Sequence, residues 1–356
     1  MQISEIAGKE GWKMNMDARS INGNGAGLYE GMEKLSSMRS RTMTGSIFVG
    51  AGLVIGFCGY VFTQSVPLII FGILSGVIGV LFITSVSKKY KETYKRIFVE
   101  GPLNRNFQHV IYDWKSGFTK EAVRSFGLTA IGNRFRSEDY IRAVFDGVPF
   151  EMSDVTVQDV RSTGRSTYTV TYFKGRMLVF DFPDKAVGSV QVFTDNFKYR
   201  GRPFGNMKPQ KVEMEGVNFN RRFDVTALSP HDAFYLLTPQ FMEKLDYLAS
   251  NYVSMGIHFC GTKVFVGFNE PYNNAFDAKS MMNKISYPEE IEKTEKELND
   301  IKFIISMIRE MPKLQNTVSQ TPQQNINPVP DINRIPDAGQ AQNMGQYNAN
   351  DYYTVV

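Results

Sequence analysis

Two uncharged apolar runs separated by three residues constrain this chain more than any other feature. Thr44 to Phe62 and Val66 to Val86 contain no Asp, Glu, Lys, Arg or His. A helix rises about 1.5 Å per residue and the hydrocarbon core of a bilayer is about 30 Å thick, so about 20 apolar residues span it. Both runs meet that length. A soluble core seldom needs two adjacent charge-free segments of this size, and a signal peptide does not begin as late as residue 44. The sequence predicts a transmembrane hairpin over residues 41–87, with spans at 44–62 and 66–86. Pro67 suits the first turn of the second span, where its missing N–H costs nothing.

The flanks set the orientation. Lys34, Arg39 and Arg41 precede the first span, Lys88, Lys89, Lys91, Lys95 and Arg96 follow the second, and the turn carries no charge. Cations stay on the cytoplasmic side, so both termini are expected in the cytoplasm. Within the spans, Gly52, Gly56 and Gly59 lie at i, i+4 and i+7, as do Gly72, Gly76 and Gly79. Each set lines one helical face, and small faces let backbones approach where lipid offers no hydrophobic driving force. Folding about residues 64–65 brings Gly56 near Gly72 and Gly52 near Gly76. The expectation is face-to-face packing within one chain; dimerisation through the same glycines is the rival. Neither span holds an ionisable side chain, which disfavours a channel or transporter.

The remainder reads in sections. Residues 1–40 form a polar arm, disordered over most of its length, with a short helix from about Tyr29 to Ser40. Residues 88–103 continue as a basic juxtamembrane helix, with Gly101-Pro102 as its stop. Residues 104–287 carry strand signals first: a hairpin about Asp146-Gly147, a second about Lys174-Gly175, strands at 190–193, 211–215 and 219–225, and a last hairpin about Gly261. Helix starts follow at Ser229-Pro230 and Thr238-Pro239. Strands first and helices later predict an α+β domain with a largely antiparallel sheet and C-terminal helices. Residues 288–311 form an amphipathic helix with Ile291, Leu298, Ile301, Ile305 and Ile308 on its stripe; docking on the body is favoured over a coiled coil. Residues 312–356 are rich in Gln, Asn and Pro, a composition that cannot bury enough surface to offset its ordering entropy. Thr354-Val-Val356 has the form of a terminal-carboxylate ligand.

Four dispersed stretches resemble one bacterial family. They are Ser137-Glu138-Asp139-Tyr140-Ile141 leading to Gly147-Val148-Pro149-Phe150, then Phe173-Lys174-Gly175-Arg176-Met177-Leu178-Val179, Phe219 to Val225, and Ala233 to Met242. Over about residues 85–270 the chain is similar to the family known as DUF3137, a domain of unknown function. The resemblance implies a bacterial inner-membrane protein with a paired-helix anchor and a cytoplasmic domain. It implies no activity and no catalytic residue.

Composition narrows the chemistry. Two cysteines and three histidines among 356 residues leave no disulfide framework and little material for a metal centre. Forty Lys and Arg against 36 Asp and Glu, a net +4, is too balanced for wholesale nucleic-acid binding. His258 and Cys260 share one strand face but lack further ligands for a closed zinc site. Ser85-Val-Ser-Lys88 matches a catalytic Ser-x-x-Lys without companion motifs, and Asp181 and Asp184 read as turn acids. No catalytic residue, metal ligand or cofactor is assigned.

Two basic groups are candidate contacts for anionic headgroups: the collar of Lys88, Lys89, Lys91, Lys95 and Arg96, and a loop carrying Lys198, Arg200, Arg202, Lys208 and Lys211 with Tyr199 and Phe204. The expected function is a non-catalytic membrane protein. Its domain binds a protein partner or the lipid surface and no nucleic acid. The alternative is an enzyme acting on a membrane-associated substrate.

Overall fold

The computed structural model describes residues 25–64, 66–185, 187–204, 207–270, 276–281 and 283–311. Most of the expected N-terminal arm, the Gln/Asn/Pro-rich tail and the terminal Thr354-Val-Val356 lie outside them.

The first helix, α1 (Gly25–Thr63), runs without a break through the short helix and the first span expected separately. Gln64 then takes a left-handed backbone, and α2 (Val66–Lys95) returns. These two helices are long and apolar enough to cross a membrane. Their apolar side chains face outward: Phe48 is 73% exposed and Phe62 86%. In water that surface would be strongly unfavourable, at about 25 cal/mol per Å².

The expected stop at Gly101-Pro102 does not occur. A π-helical turn (Arg96–Glu100) follows α2 directly and leads into α3 (Gly101–Asn106). Proline in a regular helix loses a hydrogen bond and its ring strikes the carbonyl four residues back. The wider turn relieves this, because the Gly101 N–H already reaches back to the Arg96 carbonyl, so the helix carries on past the proline.

The body is α+β. In chain order it comprises β1 (Gln108–Asp113), α4 (Lys120–Phe126), β2 (Arg134–Phe145), β3 (Val148–Ser162), β4 (Thr167–Asp181), β5 (Val187–Thr194), β6 (Gln210–Val212), α5 (Val217–Arg222), β7 (Phe223–Ala227), α6 (Pro230–Leu236), α7 (Pro239–Ser250), β8 (Ser254–Gly261), β9 (Lys263–Asn269) and α8 (Tyr287–Arg309). The nine strands form one sheet in the order β1-β2-β3-β4-β9-β8-β5-β7-β6. Every neighbouring pair is antiparallel.

The hairpin at Asp146-Gly147 is present, both residues having positive φ as a primed turn requires. Lys174-Gly175, expected as a turn, instead lies inside β4. A Cβ at Gly175 would stand 2.0 Å from the Phe268 carbonyl oxygen, so this glycine serves close strand packing. The chain reverses earlier, between β3 and β4, where Gly164 has φ of 82°. The expected strand at 219–225 is half helix, as α5 precedes β7.

Alternate strand positions fill two cores. Met152, Leu178, Val192, Ile257 and Val266 meet Leu245 and Leu248 of α7 and Leu298, Ile301 and Ile305 of α8 on one face. Phe173, Met177, Phe193 and Phe265 meet Val123 and Phe126 of α4 on the other. The closing amphipathic helix therefore docks on the body. Its last turn is held by Lys185, whose Nζ donates to the carbonyls of Ile308 (2.8 Å), Met311 (2.6 Å) and Arg309. A third cluster roots the hairpin: Met32 and Leu35 of α1 pack with Tyr90, Tyr94, Ile97 and Phe98, covered by Met281, Ile285 and Ile291.

Candidate functional site

Three neighbouring strands lay down a polar floor where the surrounding sheet is apolar. Arg136 stands opposite Thr156 and Thr156 opposite Lys174; Glu138 stands opposite Asp154 and Asp154 opposite Arg176. Residues two apart share a strand face, so two polar rows project from β2, β3 and β4 on the side that buries Met152 and Leu178. Above them lies a cavity of about 420 Å³, bounded by Lys91 and Lys95 of α2, by Trp114, and by Asp277 and Ala278. It sits at the root of the helical hairpin.

Lys95 on its wall belongs to a buried ion pair. Asp139 takes a left-handed backbone, φ 58°, within an irregularity of the β2–β3 register. That turns its carboxylate inward, where its oxygens accept from Lys95 Nζ at 2.5 and 2.6 Å and from the Tyr112 hydroxyl at 2.6 Å. Asp139 is wholly buried and Lys95 only 4% exposed. Burial pushes the Asp139 carboxyl up against the opposing pull of Lys95. Lys95 therefore does not belong to the basic collar. One turn past Lys91 the helix passes against the sheet edge, so the ammonium meets a carboxylate rather than lipid. Lys88, Lys89, Lys91 and Arg96 are exposed.

Next to the pair, Arg176 gathers three carboxylates: Asp154 at 3.8 Å, Glu270 at 3.4 Å, and Glu297 of α8. Glu290, also on α8, accepts from the Tyr94 hydroxyl of α2 and pairs with Lys279 at 3.2 Å. Hairpin, sheet and closing helix are thus tied together by charge. Burial pushes the Asp154 carboxyl up to about 7; Arg176 opposes the rise, while Asp139 and Asp277 add to it.

The basic loop is largely fastened to the body. The Arg200 guanidinium donates to Asp224 at 2.7 Å and to the Phe197 carbonyl at 3.0 Å, and Lys211 lies 3.2 Å from Asp224. Tyr199 packs on Tyr172 with centroids 4.6 Å apart, and Phe204 is buried edge-on to His258. Lys198, Arg202, Lys208 and Lys211 remain exposed; Arg200 does not, because its charge is spent on Asp224.

All six span glycines face the opposite helix of the same chain. A Cβ at Gly56 would stand 2.7 Å from Gly72 Cα, and one at Gly72 3.2 Å from Gly56 Cα. The same test brings Gly52 to Ser75 at 2.8 Å, Gly59 to Leu68 at 2.9 Å, Gly76 to Leu53 at 3.2 Å and Gly79 to Val49 at 2.0 Å.

His258 and Cys260 do not form a ligand pair. The His258 ring is buried, with Nδ1 2.8 Å from the Phe126 carbonyl oxygen and Nε2 2.9 Å from Ser189 Oγ. A neutral ring donating from Nδ1 and accepting at Nε2 satisfies both contacts, and desolvation pushes its pKa down to about 4. Asp181 accepts from the Thr262 hydroxyl at 2.9 Å. Among the described residues no group of three or more His, Cys, Asp and Glu can hold a metal ion.

Sequence reasoning missed Asp139, Trp114, Asp154 and Lys174 as site residues. A signal existed: Arg136 and Glu138, Asp154 and Thr156, and Lys174 and Arg176 each put polar side chains two apart on an otherwise inward strand face.

The fold and the chamber define a class: an α+β protein rooted on a helical hairpin long and apolar enough to cross a membrane, with a polar cavity at that root. Within that class, residues 171–313 match the family described as a protein of unknown function (DUF3137), which supports the resemblance read from the sequence. The match runs from β4 past α8, so the stretches at 137–150 fall outside it. No curated protein matches the chain. Among solved structures, the crystal structure of the mycobacterial trehalose monomycolate transport factor A, TtfA, is similar at a TM-score of 0.37 and 9% identity, over 62% of this chain and 98% of that one. Neither fold nor function transfers at that level.

Proposed function

We propose that this chain is a binding module of the bacterial inner membrane, anchored by two spans with both termini in the cytoplasm, and that it performs no catalysis of its own. The carrying observation is the cavity beneath the hairpin, with α2 supplying part of its wall. A domain merely tethered to a membrane needs no such cavity, and here α2 and the sheet meet beside it through Lys95–Asp139, while Arg176–Glu297 and Tyr94–Glu290 tie α8 to the sheet and to α2. Occupancy of the cavity and the placement of the hairpin are then mechanically linked. The exposed collar lysines and Arg96 hold the domain against anionic headgroups, and a protein partner reads the cytoplasmic surface.

The test is native mass spectrometry of the intact protein extracted in nanodiscs of its host's lipids. A molecule retained at unit stoichiometry, recovered chemically unchanged and lost on Lys174→Glu is the expected result. Absence of any retained molecule contradicts it. One observation favours catalysis on a membrane-associated substrate as a second reading: the Asp154 carboxyl, near 7, has a proton to give or take at neutral pH. Conversion of the retained molecule by the parent protein and not by Asp154→Asn would establish that reading instead.

A further inference from the structure

Two of the lysines lining the cavity stand outside its ion pairs, and they point to a ligand class. Lys95 is neutralised by Asp139 at 2.5 Å, Arg136 by Glu138 at 2.8 Å, and Asp154 faces Arg176 at 3.8 Å. Lys91 and Lys174 make no ion pair among the described residues, and Asp277 is the acid that remains on the lining. Two lysines outside these pairs, one on α2 and one on β4, therefore line the cavity together with Asp277, whose charge is also felt by Lys293. Thr156, between Arg136 and Lys174 on the floor, adds a hydroxyl donor. Lysines and a hydroxyl around a concavity are the donors that phosphate oxygens take.

Depth agrees with this chemistry. Lys91 lies five residues beyond the end of the apolar run at Val86, about 7–8 Å along the helix at 1.5 Å per residue. The headgroup layer extends about 5–7 Å beyond the hydrocarbon core on each side. The rim of the cavity at Lys91 thus stands at the aqueous edge of that layer, within reach of its headgroups, and Trp114 lines the same space.

We propose that the chamber binds a phosphate ester, held by Lys91 and Lys174 over Thr156, supplied either by a phospholipid headgroup of the adjoining leaflet or by a soluble metabolite. The inference rests on the binding-module reading and adds the ligand's charged group to it.

The protein carries two tryptophans, Trp12 and Trp114, so Trp12→Phe leaves emission from the chamber wall alone. The full chain in phosphate-free maltoside micelles is titrated with sn-glycerol 3-phosphate, with phosphatidylglycerol, and with a galactolipid of matched chains. A saturable change in Trp114 emission with either phosphate compound and none with the galactolipid is expected; the compound active at lower concentration names the source. Lys91→Gln with Lys174→Gln weakens the response at least about tenfold, while Asp277→Asn strengthens it about two- to threefold. Unfolding of a variant cannot produce that gain. Equal response to the galactolipid, no response to either phosphate compound, or unchanged affinity in the double lysine variant overturns the proposal. A phosphate-free molecule found by native mass spectrometry would sink this inference while sparing the binding module; an empty protein would sink both.

Discussion

The Lys95–Asp139 pair is where the hairpin is bolted to the sheet, and breaking it should be costly. Asp139→Asn keeps the left-handed backbone that asparagine tolerates and leaves an acceptor for Tyr112, so it removes the charge alone. At the 2.5 Å contact, an effective dielectric of about 20 gives an attraction of about 7 kcal/mol. Desolvation of both ions offsets much of that, and removing one partner of a buried pair typically costs about 3–5 kcal/mol, because the other charge is stranded. Lys95, at 4% exposure, recovers little hydration. For a domain of this size each kcal/mol moves the midpoint by about 2–4 °C, so a fall of about 6–20 °C follows. Thermal unfolding of the full chain carrying Trp12→Phe in micelles, read by Trp114 emission and circular dichroism, measures it. Lys95→Met in the Asp139→Asn background removes the stranded charge and should recover at least about 2 kcal/mol, a coupling typical of contacting residues. A loss under about 1 kcal/mol in the single variant, or strictly additive losses in the double, would refute the reasoning.

Two further outcomes follow from the same geometry. His258 is neutral in the folded chain down to about pH 4, against an ordinary value of 6.5. Above about pH 6.5 the ring is neutral in both states and costs nothing; as pH falls toward 4 the unfolded chain takes the proton first, so stability drops by about 3 kcal/mol in all. Denaturant midpoints measured across pH 7 to 4 should show that slope, and His258→Gln should flatten it; an unchanged slope counts against a buried neutral ring. In the hairpin, Gly56→Leu drives a side chain into the Gly72 backbone and should cost about 1–3 kcal/mol of packing. A Gly52→Cys, Ser75→Cys pair, whose Cβ atoms would lie 3.4 Å apart, should oxidise within one chain, and less readily once Gly56→Leu is added. Crosslinks between chains instead would mean that the glycines pair molecules.

What was legible in the sequence followed from local rules. Charge-free runs of spanning length marked the hairpin, the glycine spacing marked its inner face, and Asp146-Gly147, Thr238-Pro239 and the stripe from Leu298 to Ile308 marked their elements. The misreadings arose where distant chain decides local form. Gly175 looks like a turn residue until Phe268 is known to lie against it, and Pro102 looks like a helix stop until the π-turn before it is seen. Lys95 has the same chemistry as Lys91 and sits one turn further along. Only the approach of Asp139, from another element, buries one and leaves the other exposed. The chamber was illegible for that reason: its walls come from α2, β2, β3, β4 and the segment about Asp277, and no single stretch of chain contains it.

Placement of the hairpin in the membrane with the domain on its cytoplasmic side is tested most directly by labelling in intact cells. In a background where Cys58 and Cys260 are replaced by serine, a cysteine at Gln64 in the hairpin turn should react with a membrane-impermeant maleimide applied outside the inner membrane. A cysteine at Tyr168, an exposed position on β4, should react only after the membrane is opened. Labelling of Tyr168→Cys in intact cells, with Gln64→Cys protected, would contradict the orientation and with it the binding chamber on the cytoplasmic face.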